Sequence, residues 1–265
     1  MNLVEKDFKW KEMAERTTIL RADVGSRGFG LSLPTSDDDH MGVCIEDFDA
    51  YCRIEGKFEQ HIEHHQEGGI DVTIYSMEKF LRLALHGNPT ILCLLFAKKK
   101  LKSDARGSQL QGLTPYLISK HWGKRFLGYM ESQRQKLLGE RGQKRVNRPD
   151  LEEKFGYDTK YAMHLLRLGI QGVEVMETGK MTIPFTGSNQ EFLMAVRFGK
   201  IDLNEVLQTA GDLERQLKDL ISNSDLPDQP NKIYVDEWMR DTYFRAWQAR
   251  QVKTSFTGTR ESINA

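Results

Sequence analysis

The chain has 265 residues, enough for one large domain or two modest ones, and its 39% hydrophobic and 29% charged residues exclude wholesale disorder. The longest uninterrupted apolar run, residues 91–97, is far short of the roughly 20 residues of a membrane helix, and the charged start MNLVEKDFKWKEM lacks the apolar stretch of a secretory signal. Cys44, Cys52 and Cys93 are odd in number and follow no CxxC spacing, which argues against a disulfide framework or a structural zinc and for a reducing, cytoplasmic setting.

In chain order, residues 1–16 read as an amphipathic helix, and the β-branched residues 17–24 (TTILRADV) as a strand bounded by Gly25. Gly25-Ser26 then reads as the opening of a helix, and a polar stretch leads to a second strand at 41–45. Residues 70–75 (IDVTIY) form a third strand. Ser76 is the N-cap of a helix with Met77, Phe80, Leu81, Ala84 and Leu85 on one face, stopped by Gly87, and Asn88-Pro89-Thr90 starts another through Phe96. Strands alternate with helices here, so the first hundred residues are a mixed unit. From Thr114 the helical period dominates, with helices over 158–170, 191–199, 203–221 and 235–253. Residues 138–154 read as a loop, 223–231 as a linker and the last ten residues as a loose tail.

Acidic and basic residues balance at 38 each, but not evenly along the chain. Between Lys98 and Arg148 there are 14 basic residues against three acidic ones, a net of +11. Such separation points to an anionic partner near the middle of the chain, with a solvated set of helix faces as the plain alternative.

The chemistry lies in Val24-Gly25-Ser26, ten intervening residues, then Asp37-Asp38-Asp39, with Asp71 on a later strand. A Gly-Ser after a strand, opening a helix, would turn backbone N–H groups and a dipole toward phosphate oxygens. Asp37 and Asp39 are two apart, so on an extended strand their carboxylates share a face. With a third acid from a neighbouring strand they make an oxygen-rich cage for a pair of Mg²⁺ ions.

This order and spacing resembles the DNA polymerase β superfamily of nucleotidyltransferases, and most of all the RNA-ligase-associated (RlaP-like) nucleotidyltransferases of bacteria and phages. The resemblance is carried by GSRGFGLSLPTSDDDHMGV (25–43), DVTIYSMEKFLRLALHGNPTILCLLF (71–96) and YDTKYAMHLLRLGIQGVEVMETGKMTIPF (157–185). It departs from the pattern at Asp38, where an apolar strand residue is usual, and at Cys93, where relatives commonly carry an acid. It implies an α+β protein, with a nucleotidyltransferase core over residues 1–105 and a mostly helical domain over 106–265 completing the cleft. It also implies transfer of a nucleoside monophosphate from an NTP to a hydroxyl, with Mg²⁺ or Mn²⁺ at Asp37, Asp39 and Asp71. Gly25, Ser26 and Arg27 would then hold the β- and γ-phosphates.

The third matching segment has physical content of its own. Lys160, His164 and Arg167 stand at i, i+4 and i+7, so they share a helix face, with Tyr161, Leu165 and Leu168 on the adjacent, buried one. Such a stripe suits a triphosphate or an RNA backbone. The cluster His61-Ile62-Glu63-His64-His65 has no evident third ligand and reads as structural or solvent-exposed. The four tryptophans read as core, with Trp122, inside the basic His-Trp-Gly-Lys-Arg stretch, as the candidate for base stacking. The basic middle and the resemblance favour an RNA 3′ end, tRNA included, as acceptor. Nucleotidylation of a protein hydroxyl and a catalytically silent nucleotide- or RNA-binding module are the competing readings.

Overall fold

The computed structural model describes residues 3–64, 69–140 and 148–261. Helix α1 (Leu3–Thr17) runs directly into strand β1 (Thr18–Asp23). The hydroxyls of Thr17 and Thr18 end the helix by donating back to the carbonyls of Met13 and Ala14, at 2.7 and 2.6 Å. Strand β2 (Asp38–Cys44), the single turn α2 (Phe48–Tyr51), strand β3 (Gln60–Glu63) and strand β4 (Ile70–Ser76) follow. Ser76 closes β4 and caps α3 (Met77–Leu85) by accepting from the Lys79 N–H at 3.1 Å. Asn88 caps α4 (Pro89–Phe96) by accepting from the Thr90 N–H at 3.1 Å. Both starts lie where the capping residues predict them.

Strand β5 (Lys100–Ser103) and the short helices α5 (Ala105–Gln111) and α6 (Thr114–Leu117) lead into the helical part: α7 (Lys120–Leu137), α8 (Pro149–Phe155), α9 (Thr159–Thr178), α10 (Gly187–Arg197), α11 (Leu203–Asn223) and α12 (Lys232–Glu261). The sheet order is β3-β4-β2-β1-β5. β2 is parallel to β4, and the other neighbours are antiparallel. This is the mixed-sheet, helix-rich α+β architecture expected. One apolar cluster joins Ile19, Val43 and Phe80 to Trp122, Leu165, Leu217 and Tyr243, so sheet and helices share a core.

The structure departs from the sequence reading at several elements. β2 begins at Asp38, three residues before the expected start, which brings Asp39 into the sheet. His61 and Glu63 lie in β3, a strand that the sequence reading did not assign. The polar stretch 138–154 contains α8; its residues 141–147 lie outside the described residues, as do His65 of the histidine cluster and the tail's 262–265. Residues 256–261 of the expected tail continue α12.

The last helix returns to the first sheet at a buried carboxylate. Glu46, just past β2, is 1% exposed. Tyr243 Oη donates to its Oε2 at 3.0 Å and accepts from the Glu78 N–H at 3.1 Å. Trp247 Nε1 donates to the Glu46 carbonyl (2.8 Å), Arg250 to the Ile45 carbonyl (2.7 Å) and to Asp47 (2.8 Å). Burial pushes the Glu46 carboxyl from 4.5 up to about 7, against the hydrogen bonds from Tyr243 and the chain's own N–H groups.

The folded state therefore holds this proton more tightly than the unfolded chain does. Stability from the joint is full below about pH 4.5 and is lost as pH rises to about 7, a span worth a few kcal/mol at the order-of-magnitude level. Glu46→Gln should flatten that fall, read as the denaturant midpoint followed across the same pH range. A midpoint with the same pH profile as the unaltered protein would show that Glu46 does not carry it.

Candidate active site

The cleft is built where β1 stops. After Asp23 the chain turns tightly through residues 26–30, held by Phe29 N to Gly25 O (3.1 Å), Gly30 N to Arg27 O (3.0 Å) and Leu31 N to Ser26 O (2.8 Å). This is a turn, so the expected helix and its dipole are absent at Gly25-Ser26. A different constraint fixes Gly25. A Cβ there would stand 1.9 Å from Asp39 Oδ2 and 2.6 Å from Asp39 Cβ, because the Val24 N–H donates to the Asp39 carbonyl at 3.0 Å and draws the two segments together. Only a residue without a side chain leaves room for the carboxylate.

Parallel pairing of β2 with β4 sets Asp39 opposite Asp71, so the two side chains leave the same face of the sheet. Asp37 precedes β2 by one residue and lies two before Asp39, on the same side. All three line one cavity of about 470 Å³ with Gly25, Ser26, Lys160, His164 and Arg167. The structure thus brings together every residue singled out from the sequence except Arg27. Asp38, pointing away from Asp37 and Asp39, forms an ion pair with Arg27, whose guanidinium also donates to the Ser36 carbonyl at 3.1 Å. The acid that departs from the family pattern thereby draws Arg27 away from the cavity.

Burial raises the Asp39 carboxyl, and Asp71 and Asp37 raise it further, with Lys160 opposing. Asp71 Oδ2 lies 3.2 Å from His64 Nδ1. Among the described residues no three His, Cys, Asp or Glu side chains already converge as a metal-ligating group. The donor set is nevertheless oxygen only, and its members repel one another, which is the chemistry that a hard divalent cation relieves.

The facing wall is α9. Its N-terminus is set by Asp158, which accepts from the N–H groups of Lys160 (2.9 Å) and Tyr161 (3.1 Å) and pairs with Arg148 at 2.6 Å. Lys160 is lowered by burial and then by Arg148 and Arg197, with Asp37 and Asp39 working the other way. Burial, followed by Arg167 and Lys160, pushes His164 down to about 3, so the imidazole is neutral near pH 7. Arg167 lies deepest. Its guanidinium sits 4.2 Å from the Phe29 ring centroid and donates to Gln171 Oε1 at 2.8 Å, and its buried Nε has no partner. The Cys93 thiol beside it is lifted to about 11 by burial. Arg167 is therefore part of the floor of the cleft rather than of an open stripe.

Sequence reasoning missed Arg197, at the end of α10, which lines the cleft and donates to Thr159 Oγ1 at 3.3 Å. Its context, a basic residue in a last helical turn, is too common to signal a site. His64 was grouped with its sequence neighbours rather than with Asp71. Trp122 is fully buried, its Nε1 donating to the Ala84 carbonyl at 3.0 Å, so it belongs to the core and stacks no base.

The sequence model of the RNA repair pathway DNA polymerase beta family (RlaP) matches residues 4–241. Spectinomycin adenyltransferase AAD(9) from Enterococcus faecialis, solved with ATP and spectinomycin, is 16% identical, with 82% of this chain and 100% of that one covered and a TM-score of 0.39. A nucleotidyltransferase-like protein from Exiguobacterium sibiricum is 12% identical, over 83% of this chain and 74% of its own, with a TM-score of 0.30. No curated protein sequence matches the chain. The fold and family are those of a nucleotidyltransferase. Within that class the chain belongs to the RNA repair pathway DNA polymerase beta family.

Gly25→Ala should leave the fold intact, as read by circular dichroism, yet displace the Asp39 carboxylate. Misplacing a catalytic group by about 1 Å costs roughly 10²-fold in rate. Nucleotidyl transfer near the unaltered rate would show that Asp39 does not need its observed position.

Proposed function

We propose that the protein transfers a nucleoside monophosphate from an NTP to a hydroxyl of RNA, a 3′ end (tRNA included), and releases pyrophosphate. In this reading residues 1–105 form the catalytic core and 106–265 complete the cleft. The observation that carries it is the pairing of Asp39 with Asp71 on adjacent parallel strands, across the cleft from Lys160, His164 and Arg167. A wall of carboxylates facing a wall of cations suits a polyphosphate bound through divalent metal on one side and directly on the other.

Asp37 and Asp39 would hold two Mg²⁺ ions, with Mn²⁺ as a substitute, and Asp71 would complete the site beside the acceptor. Bound there, the ions neutralise phosphate charge and lower the pKa of the attacking hydroxyl. Ser26, which lines the same cavity, would face the phosphates. Lys160 and Arg167 bring positive charge to the departing pyrophosphate, and the neutral His164 contributes a hydrogen bond without charge. The acceptor oxygen bonds to the α-phosphorus as the α–β phosphoanhydride bond breaks. Its electron pair leaves with pyrophosphate, and the hydroxyl proton passes to solvent or to a nearby carboxylate.

Incubation with each labelled NTP, Mg²⁺ and total cellular RNA tests the reading. Label on RNA that disappears in excess EDTA supports it; label on protein, or NTP binding with no transfer to any acceptor, overturns the RNA assignment. Asp71→Asn should bind Mg–NTP nearly normally but transfer nucleotide about 10²-fold more slowly, because its contribution is realised in the transition state. Transfer at the unaltered rate would exclude Asp71 as the third acid.

A further inference from the structure

The first three turns of α7 read KHWGKRFLGYM, with no acidic residue. Trp122, Gly123, Phe126 and Met130 turn into the core. That leaves Lys124, Arg125, Gly128, Tyr129 and Ser132 around a surface concavity of about 260 Å³. The Arg125 guanidinium lies 5.7 Å from the Tyr129 ring centroid, and one turn earlier His121 and His86 face each other at 6.3 Å. His121 is lowered by burial and then by Arg125, His86, Lys124 and Lys232.

A charged helix face is ordinarily a solvated one, and elsewhere this protein balances such faces. α12 pairs Arg240 with Asp236 (3.0 Å) and Arg245 with Asp241 (2.9 Å), each at i, i+4. On the α7 face Lys120 is paired with Asp228 at 3.3 Å, whereas Lys124, Arg125 and Lys232 make no ion pair among the described residues. Gly128 adds a second, independent observation. A Cβ there would meet nothing within 4 Å, so no packing excludes a side chain, yet glycine in an exposed helix is less stable than alanine. The missing side chain leaves the concavity open. Tyr75, whose phenol is raised by burial and then by Tyr129, lines the catalytic cleft.

We propose that this face of α7, with Lys232 and the two histidines, is the track along which a single-stranded nucleic-acid acceptor reaches the cleft. Lys124 and Arg125 meet its phosphodiesters, Tyr129 stacks a base, and the terminal hydroxyl passes Tyr75 toward Asp71. The proposal rests on the nucleic-acid acceptor reading above and adds where that acceptor lies. Cations interleaved with an aromatic ring are the combination that holds single strands without sequence preference, whereas a protein acceptor has no polyanionic backbone to match the unpaired charge.

A labelled oligouridylate is titrated against the full chain over a range of salt, with ATP affinity measured in parallel by calorimetry. Lys124→Ala combined with Arg125→Ala should weaken oligouridylate binding roughly ten-fold or more at low salt. The same pair should reduce the slope of log affinity against log salt by about 1.4, twice the about 0.7 of each single-strand contact. ATP affinity should not change. Gly128→Ala should raise the melting temperature while weakening oligouridylate binding, an outcome that a merely structural glycine would not give. If the unaltered protein binds and extends RNA and the variants do so equally well, the track is overturned and the acceptor reading stands. If the unaltered protein neither binds nor modifies RNA, both fall.

Discussion

The Asp39 carboxylate occupies the space that a side chain at position 25 would need, and the rest of the site follows from that approach. The contact requires β1 to end at Asp23, the chain to turn at Gly25, and residues 31–37 to return alongside so that β2 pairs antiparallel with β1. Once β2 is held in that register, its parallel pairing with β4 leaves Asp71 opposite Asp39. A one-residue slip would send Asp71 to the other face of the sheet and dissolve the pair. The glycine therefore acts by making room for an acid, a role distinct from the phosphate-cradling backbone that Gly-Ser motifs suggest.

Each wall of the cleft gathers like charges at close quarters. Asp39 is raised by burial and by its acidic neighbours, and Lys160 is lowered by burial and two arginines. Arg167 is the sharper case. A buried guanidinium ordinarily has a carboxylate, but here its neighbours are the Phe29 face, the Gln171 amide and the Cys93 thiol. An acid at position 93 would satisfy it and cancel the field it directs into the cleft. With a neutral thiol there instead, held protonated by burial, the charge stays available to an anion from outside. The molecule thus carries an electrostatic cost within its folded state that the proposed metal and polyphosphate would together relieve.

How legible this was in the sequence depended on whether each signal is local. The capped starts of α3 and α4 are set by one side chain and the next turn, and they were readable to the residue. That Asp37 and Asp39 share a side was readable because a two-residue spacing in extended backbone has a single geometric outcome, and the i, i+4, i+7 stripe of α9 for a like reason, whereas Asp71 sits opposite Asp39 only through strand pairing. β3 and β5, four residues each, owe their conformation to the strand beside them and carry no period of their own. Arg27, expected beside Ser26, instead pairs with Asp38, a contact that the motif's spacing does not report. Arg197 and Glu46 gain their meaning from residues dozens to hundreds of positions away, at Thr159 and Tyr243, and no local pattern reports that.

The catalytic strand and the proposed acceptor track are parts of one mechanical chain. β4 carries Asp71 at its start and ends at Ser76, whose hydroxyl caps α3 with no intervening loop. Ala84, two turns along α3, accepts the indole N–H of Trp122, the fully buried residue that fixes the start of α7. Lys124 and Arg125 follow on the opposite side of that same first turn and a half. A strand, a cap, a short helix and a buried indole therefore set the distance between Asp71 and the cations of the proposed track. None of these links is an exposed, freely turning loop. Their rigidity matters because in-line transfer tolerates little error in where the hydroxyl arrives, and an acceptor held several residues from its end adds its own flexibility to that error. Trp122, which reads from the sequence as a base-stacking candidate within a basic stretch, instead holds from the inside the helix on which the proposed track lies.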